Sequence, residues 1–172
     1  MIIECTKKLA DVMKIKLPNF ALIEREPFYE WHANIFLFNR RKGVILMNNQ
    51  TRYCIVLYGL KGEHFKNFNS IVLAAIEETF AAEGIAADKI KGYIKHCKEM
   101  VYTKTHNRSI LGQINEFHLA ISWEIEYHLP NNNVNMVELN KWVNNTQMCG
   151  AMGYCHPIDL LKKEIERIDT IS

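Results

Sequence analysis

The chain has 172 residues, of which 48% are hydrophobic and 23% are charged, and its formal net charge is +2. These values are typical of one ordinary folded domain and exclude a disordered or low-complexity protein, so we expect residues 1–172 to form a single domain. No apolar run approaches the roughly 20 residues that a bilayer crossing requires, and Glu4, Lys7 and Lys8 stand where a signal peptide is apolar. We therefore expect a cytoplasmic protein with no membrane partner.

The charge is unevenly distributed along the chain. Residues 1–66 contain eleven Lys or Arg against six Asp or Glu, whereas residues 67–172 contain ten against thirteen. A basic half of this kind attracts phosphate-bearing or otherwise acidic partners, and the alternative is a solvated surface with no partner.

Four short apolar runs predict strands in the first third of the chain. The N-terminal run Met1–Cys5 is one, and residues 35–38, 44–47 and 54–58 are three more, rich in β-branched and aromatic residues. Short turn sequences separate the last three runs. Strands joined by such short loops can pair only in antiparallel fashion, which predicts a β-meander.

Apolar residues at three- and four-residue spacing predict a layer of helices, the longest of which runs from about Ser109 to Leu129 and is expected to pack across the sheet. The fold class is therefore predicted to be α+β, a small antiparallel meander of about four strands packed against helices. Other helices are predicted from Thr6 to about Ile15, from Phe65 to Phe80 with a glycine cap at Gly84, from Asp88 to Cys97, from Val137 to Asn145 and from Pro157 to about Ile168. One shared core is expected to include Trp31, Phe36, Phe38, Ile45, Val56, Phe117 and Ile121.

The cysteines give no support for a metal centre. They are five in number and lie mostly within apolar patterns, which favours buried free thiols. Cys149, Cys155 and His156 lack the paired close spacing that is typical of zinc sites. The phosphate-binding, hydrolase and metalloprotease signatures are absent from the sequence. We therefore predict neither a metal nor a cofactor.

Several motifs occur together in an order that points to one family. They are I-I-E-C-T-K-K-L at residues 2–9, W-H-A-N at residues 31–34, R-R-K at residues 40–42 and N-R-S-I-L-G at residues 107–112. Jointly, over most of the chain to about residue 160, they resemble an uncharacterised prokaryotic family classed as a domain of unknown function. The resemblance implies a small bacterial cytoplasmic protein and implies no substrate or catalytic residue.

His32 and Asn34 are candidate catalytic residues. They are two positions apart in a predicted strand, so both point to one face while Trp31 points to the other. An imidazole titrates near neutral pH and can transfer a proton beside an amide donor. The alternative is that His32 satisfies a backbone group at the end of a strand.

The first hairpin turn is a candidate anion-binding site. It carries Arg40, Arg41 and Lys42, and arginine side chains match the geometry of phosphate and carboxylate groups. A solvated basic turn without a ligand is the alternative.

The start of the longest helix is a second candidate anion site. Asn107 and Arg108 precede or open it, and the free amides of a first helical turn attract anions. Helix capping alone explains Asn107 but does not explain Arg108. We expect residues 105–109 to pack beside the strand that carries His32 and Asn34, forming a polar cleft.

These residues are compatible with two functions. The favoured one is a binding or regulatory module whose basic surface recognises an acidic protein or a nucleic acid. The other is a small metal-independent hydrolase or transferase on a phosphate-containing substrate, with His32 as acid or base and Arg40, Arg41 or Arg108 holding the anion. Convergence of His32, Asn34 and Arg108 in one concave pocket would favour this enzyme, whereas their separation on a convex surface would rule it out.

Overall fold

Five strands form one mixed sheet, in the order β4-β3-β2-β1-β5, in the computed structural model, which describes residues 1–18, 26–128, 134–147 and 153–168. In chain order, the elements are β1 (Ile2–Cys5), α1 (Lys7–Met13), a 3₁₀ turn (Pro27–Tyr29), β2 (Glu30–Phe38), β3 (Arg41–Asn48), β4 (Cys54–Leu60), α2 (Gly62–Lys66), α3 (Phe68–Ala82), α4 (Ala87–Cys97), β5 (Val101–Lys104), α5 (Arg108–His128), α6 (Met136–Thr146) and α7 (Pro157–Ile165).

The predicted meander is confirmed, because β2 pairs with β3 and β3 with β4, both antiparallel. The expectation of a purely antiparallel sheet of about four strands is wrong, since β1 pairs in parallel with both β2 and β5. Parallel strands need a long crossover connection. Helix α1 lies in the connection from β1 to β2, and α2, α3 and α4 lie in the connection from β4 to β5. Strand β5 gave no sequence signal because it has four residues, of which only Thr103 is buried.

The sheet separates two hydrophobic cores. Trp31 lies in a core shared with α3, α4 and α7, whereas Phe36 and Ile45 lie on the opposite face and pack against α5 through residues such as Phe117. The expectation of one shared core is therefore wrong, because strand side chains alternate between the two faces of a sheet. Phe38 is only partly buried.

The helices lie close to their predicted positions, except that the one predicted from Phe65 to Phe80 is divided at Asn67 into α2 and α3. Gly84 adopts a φ of 79° after α3, and the N–H of Ile85 donates to the Phe80 carbonyl at 3.1 Å, which is the glycine cap expected there. Helix α4 begins at Ala87, so Asp88 lies in its first turn and does not cap it. In the described ranges, no helix combines the length and apolar character needed to cross a membrane.

The thiols are free, as expected, at the four cysteines within the described residues. Cys5, Cys54 and Cys97 are buried and Cys155 is half-buried. Cys149 and the predicted helix end at Leu129 lie outside the described residues.

Side chains of α6 cover the outer edge of β4. Asn140 Oδ1 accepts from the Val56 N–H, and Asn144 Oδ1 accepts from the Cys54 N–H, each at 2.7 Å. The amide groups of the same side chains donate back to the carbonyls of Val56, at 3.4 Å, and Cys54, at 2.8 Å. The two buried asparagines thus satisfy backbone groups that an open sheet edge would offer to another chain.

Candidate functional site

A carboxylate and an imidazole lie side by side in the middle of the sheet. Strand β1 runs between β2 and β5, so Glu4 is paired with His32 on one side and Thr103 on the other. Paired residues on neighbouring strands project from the same face. Glu4 and His32 are both completely buried, and Glu4 Oε2 lies 3.3 Å from His32 Nε2.

His106 completes the group. It follows the end of β5, where the chain turns toward α5, and its Nδ1 forms a short hydrogen bond with Glu4 Oε2. The rings of His32 and His106 lie 5.4 Å apart. The side chain of His106 is 44% exposed, so these three residues, called the Glu4–His32–His106 cluster below, reach solvent on its side.

Hydrogen bonds fix the tautomer of His32. The amide group of Asn49 donates to Glu4 Oε1 at 2.9 Å and to Glu30 Oε2 at 3.1 Å, so its oxygen faces His32 Nδ1 at 2.7 Å. His32 Nδ1 must therefore carry the proton and donate to that oxygen. The other nitrogen, Nε2, accepts from the backbone N–H of Asn107 at 3.3 Å.

The turn between β3 and β4 positions Asn49. The side-chain oxygen of Asn48 accepts from the backbone N–H groups of Gln50, at 3.1 Å, and Thr51, at 2.9 Å. The N–H of Asn49 donates to the Glu30 carbonyl at 2.8 Å. These bonds hold a turn residue against the cluster, where its side chain connects two carboxylates to an imidazole.

The surroundings keep His32 neutral. Burial lowers the pKa of His32, and this effect exceeds the opposing influence of the Glu4 carboxylate. The charge of Arg52, which is only 9% exposed, lowers the pKa further. A neutral imidazole with its proton fixed on Nδ1 has a lone pair on Nε2, which is the form that binds a metal ion. In this structure that lone pair accepts from the Asn107 N–H, and a metal ion would take the place of this bond.

The cluster has the donor set of a metal site. One carboxylate oxygen and two imidazole nitrogens lie within 4.8 Å of one another. The same combination holds zinc and non-haem iron in many proteins. Ligand atoms around zinc are about 3–3.5 Å apart, given bonds of about 2 Å. An ion held by Glu4 and His106 would therefore separate these two side chains and replace their hydrogen bond. The Asn49 oxygen takes the place of the carboxylate, backbone carbonyl or water that usually accepts from the second nitrogen of a metal-binding histidine.

A cleft of about 440 Å³ lies between β2 and α5, and none of the three cluster residues lines it. Asn34 lines it and follows His32 by two positions on the same strand face. Its side-chain oxygen accepts from the Thr6 hydroxyl at 2.9 Å. The candidate residues His32 and Asn34 thus lie on the same face of β2, one in the cluster and one in the neighbouring cleft.

The expected packing of residues 105–109 beside β2 is observed, through the contact of Asn107 and His106 with His32. Asn107 also caps α5, because its side-chain oxygen accepts from the N–H groups of Ser109, at 3.0 Å, and Ile110, at 3.3 Å. Capping therefore accounts for the side chain of Asn107.

Two residues of the basic turn do not join this site. Arg40 and Arg41 are exposed beyond the far end of β2, which lies six residues, or about 20 Å along a strand, from His32. Lys42 is exposed on β3 and lines the cleft. Arg108 is exposed in the first turn of α5 and, like the buried His32, does not line the cleft that Asn34 lines, so these three residues do not converge there. The structure therefore does not unite the two predicted anion sites, which stay separate predictions.

Sequence reasoning missed Glu4, Asn49 and His106. Glu4 carried a signal, because a lone carboxylate within the apolar run Met1–Cys5 is costly to bury unless it has partners. The other two gave none, since their approach to Glu4 depends on the order of strands in the sheet. The prediction of no metal rested on spacing along the chain, which does not detect ligands far apart in sequence.

A family model described as a domain of unknown function, DUF6933, matches residues 2–160. This match confirms the resemblance to a family of unknown function over the expected range. The matched residues include the whole cluster and all residues of the cleft. No curated protein matches the chain.

Proposed function

The chain belongs to the DUF6933 family, whose description names no activity, and from the geometry of the cluster we propose that the protein is a metal-dependent enzyme. The Glu4–His32–His106 cluster would bind one divalent transition-metal ion. The observation that carries this proposal is the convergence of one ligand atom from each of these three residues within 4.8 Å.

The charge around the cluster supports a cation. Two carboxylates, those of Glu4 and Glu30, are 0% and 4% exposed and receive hydrogen bonds from the same Asn49 amide. Concentrating negative charge away from water is unfavourable unless positive charge compensates it. A divalent ion bound to Glu4 and His32 would add to the positive charge of Arg52, which also acts on His32.

The number and exposure of the ligands favour catalysis over a structural role. Structural zinc sites are usually closed by four protein ligands, whereas catalytic sites have three and leave a position for water or substrate. The cluster supplies three, and its His106 side faces solvent. A metal ion lowers the pKa of bound water to about 7 and makes it a nucleophile. Hydrolysis is therefore the reaction class that we propose.

The test is metal binding by the purified protein after treatment with a chelator. We expect one zinc ion per chain by calorimetry and much weaker binding of magnesium, because imidazole ligands favour transition metals. Cobalt(II) should give the visible absorption bands of a coordinated ion. His106→Ala should weaken zinc binding by more than the roughly 10- to 100-fold typical of losing an outer hydrogen-bond partner.

His128→Ala is the matched control. His106 precedes α5, and His128 is the last residue of that helix. The side chain of His128 is 46% exposed and contacts Glu124 one turn away. This variant should bind zinc like the parent. Zinc-dependent hydrolysis of 4-nitrophenyl acetate or 4-nitrophenyl phosphate should be lost only in His106→Ala. Absence of stoichiometric zinc binding, or equal affinities in His106→Ala and the parent, would refute the proposal.

The exposed basic turn favours a second candidate, recognition of an acidic protein or a nucleic acid. Arg40, Arg41 and Lys42 all lie on the surface at the tip of one hairpin. Binding through such a turn should weaken as salt rises. Fluorescence anisotropy with a labelled random-sequence DNA should show weaker binding after Arg40 and Arg41 are both replaced by Gln. A parent protein that binds neither DNA nor polyglutamate at low salt would end this candidate.

A further inference from the structure

The polar lining of the cleft between β2 and α5 favours a negatively charged ligand. Among the described residues that line it, Lys8 and Lys42 are cationic, Asn34 and Asn115 are neutral amides, and none is acidic. The ammonium group of Lys42 lies over the Phe65 ring, 5.9 Å from its centroid. Lys8 is therefore the cation that is available to a ligand, and it is exposed on α1.

A buried nitrogen atom of His118 also lacks a partner in the cleft. His118 Nε2 is shielded from solvent and makes no hydrogen bond within the described part of the chain. Ser122 Oγ, one helical turn further along α5, has the same property. Buried polar atoms are nearly always hydrogen-bonded in folded proteins, so each such atom requires an explanation. Burial lowers the pKa of His118, so its neutral ring offers one donor and one acceptor.

The remaining wall of the cleft is apolar. Phe36, Ile45 and Ile114 line it, and the Phe36 ring lies 4.9 Å from the His118 ring. Leu37, which is 66% exposed, lies on the same lining. A volume of about 440 Å³ is within the range of small-molecule sites.

We infer that this cleft binds the substrate of the metal centre and that the substrate is a small organic anion, a carboxylate or phosphate ester on an apolar body. The anionic group would meet Lys8 and the amide of Asn115, and the apolar body would lie on Phe36. Because His118 Nε2 is shielded from solvent, it would bond a polar atom of the ligand once the ring rotates toward the cleft. The assignment as substrate rests on the proposed function, because it requires the reacting group of the ligand to reach a metal ion held by the Glu4–His32–His106 cluster. Binding of the anion in the cleft does not depend on that function.

Binding of three matched probes tests this inference. Phenyl phosphate, phenylacetate and the neutral phenylacetamide are titrated into metal-free protein labelled with ¹⁵N, and shifts of cleft resonances give the affinities. Both anions should bind more tightly than the amide, and the stronger of the two identifies phosphate or carboxylate as the preferred group. Lys8→Gln should weaken anion binding about two- to fivefold, the range of an exposed ion pair, and leave phenylacetamide unchanged.

Lys7→Gln is the control, because Lys7 neighbours Lys8 on α1 but does not line this cleft. His118→Phe should weaken all three probes, since it removes the nitrogen atom and fills part of the cleft. His106→Ala should bind the anions like the parent even though it loses zinc, so failure of the metal proposal and failure of this one are distinguishable. Equal affinity for phenylacetate and phenylacetamide, or equal effects of Lys7→Gln and Lys8→Gln, would overturn the inference.

Discussion

Trp31 donates a hydrogen bond from its indole nitrogen to the hydroxyl oxygen of Tyr93 at 3.0 Å, and neither side chain is exposed. Tyr93 in turn donates to the Phe28 carbonyl at 2.9 Å. This chain of bonds joins α4 to β2 on the face of the sheet opposite His32. It therefore anchors from behind the strand on which the cluster depends.

Replacing Tyr93 by Phe should lower the free energy of unfolding by about 1–3 kcal/mol, because the buried indole N–H of Trp31 would lose its acceptor. Urea unfolding followed by circular dichroism measures the change. Tyr29→Phe is the control, since the Tyr29 hydroxyl makes no hydrogen bond within the described residues, and it should change stability by less than about 0.5 kcal/mol. Equal losses in the two variants would contradict the role given to the hydroxyl of Tyr93.

Cys97 predicts a loss of stability at alkaline pH. Burial raises the pKa of its thiol from the ordinary value of 9.0 to about 12. The folded state therefore holds this proton more tightly than the unfolded state, so the stabilisation is complete below pH 9.0 and is lost as pH rises toward 12. Each pH unit in that interval should cost about 1.4 kcal/mol for one such group.

Cys97→Ala tests this dependence. The variant should be less stable than the parent at pH 8 because it leaves a small cavity. The difference between the two free energies of unfolding should then narrow as pH rises from 9 to 10.5. In that range the thiol ionises in the unfolded parent but not in the folded parent, which stabilises the unfolded state of the parent alone. Urea unfolding curves at several pH values give both free energies. Two curves that stay parallel would show that Cys97 is not responsible.

Asn49 should tune the proposed metal centre without being a ligand. Replacing Asn49 by Ala removes the acceptor for His32 Nδ1 and the donor to Glu4, so His32 would lose its fixed tautomer. We expect zinc affinity to fall about 10- to 100-fold. Gln50→Ala is the control, since Gln50 in the same turn binds Glu164 and not the cluster. Competition titration against a chromogenic chelator measures both, and equal affinities would remove Asn49 from the centre.

Asn144 should protect the edge of the sheet. Asn144→Ala removes both hydrogen bonds to the backbone of Cys54 and leaves two buried groups unsatisfied, which should cost about 2–4 kcal/mol. The exposed edge should also promote aggregation, detected by light scattering on warming. Asn145→Ala is the control, because Asn145 is exposed and its side chain binds Glu83 and not β4. This variant should lose much less stability and aggregate less. Similar scattering from both variants would show that the edge is protected by other means.

The meander and the remaining strands differ in how far the sequence could predict them. β2, β3 and β4 each pair with the next strand along the chain, so apolar runs and turn residues contain the whole signal. β1 pairs with strands that are distant in sequence, and β5 is short and largely exposed. Nothing local in Ile2–Cys5 indicates which strands lie beside it.

The same physical reason limits prediction of the site. His32 could be selected from its residue type and its position in a strand, and the approach of residues 105–109 could be expected. The pairing of Glu4 with His32 could not, because it follows from the parallel register of β1 and β2. Glu4, His32 and His106 are far apart in the sequence, so no local motif indicates that they could bind one metal ion.

The contact of α6 with the edge of β4 depends on two different repeats having nearly the same length. Four residues of an α-helix advance about 6 Å, and two residues of a β-strand advance about 6.6 Å. Asn140 and Asn144 can therefore meet Val56 and Cys54 in turn. Inserting one residue between the two asparagines would rotate one amide by about 100° away from the strand. An insertion between Asn140 and Asn144 would consequently keep both contacts only with a matching insertion between Cys54 and Val56.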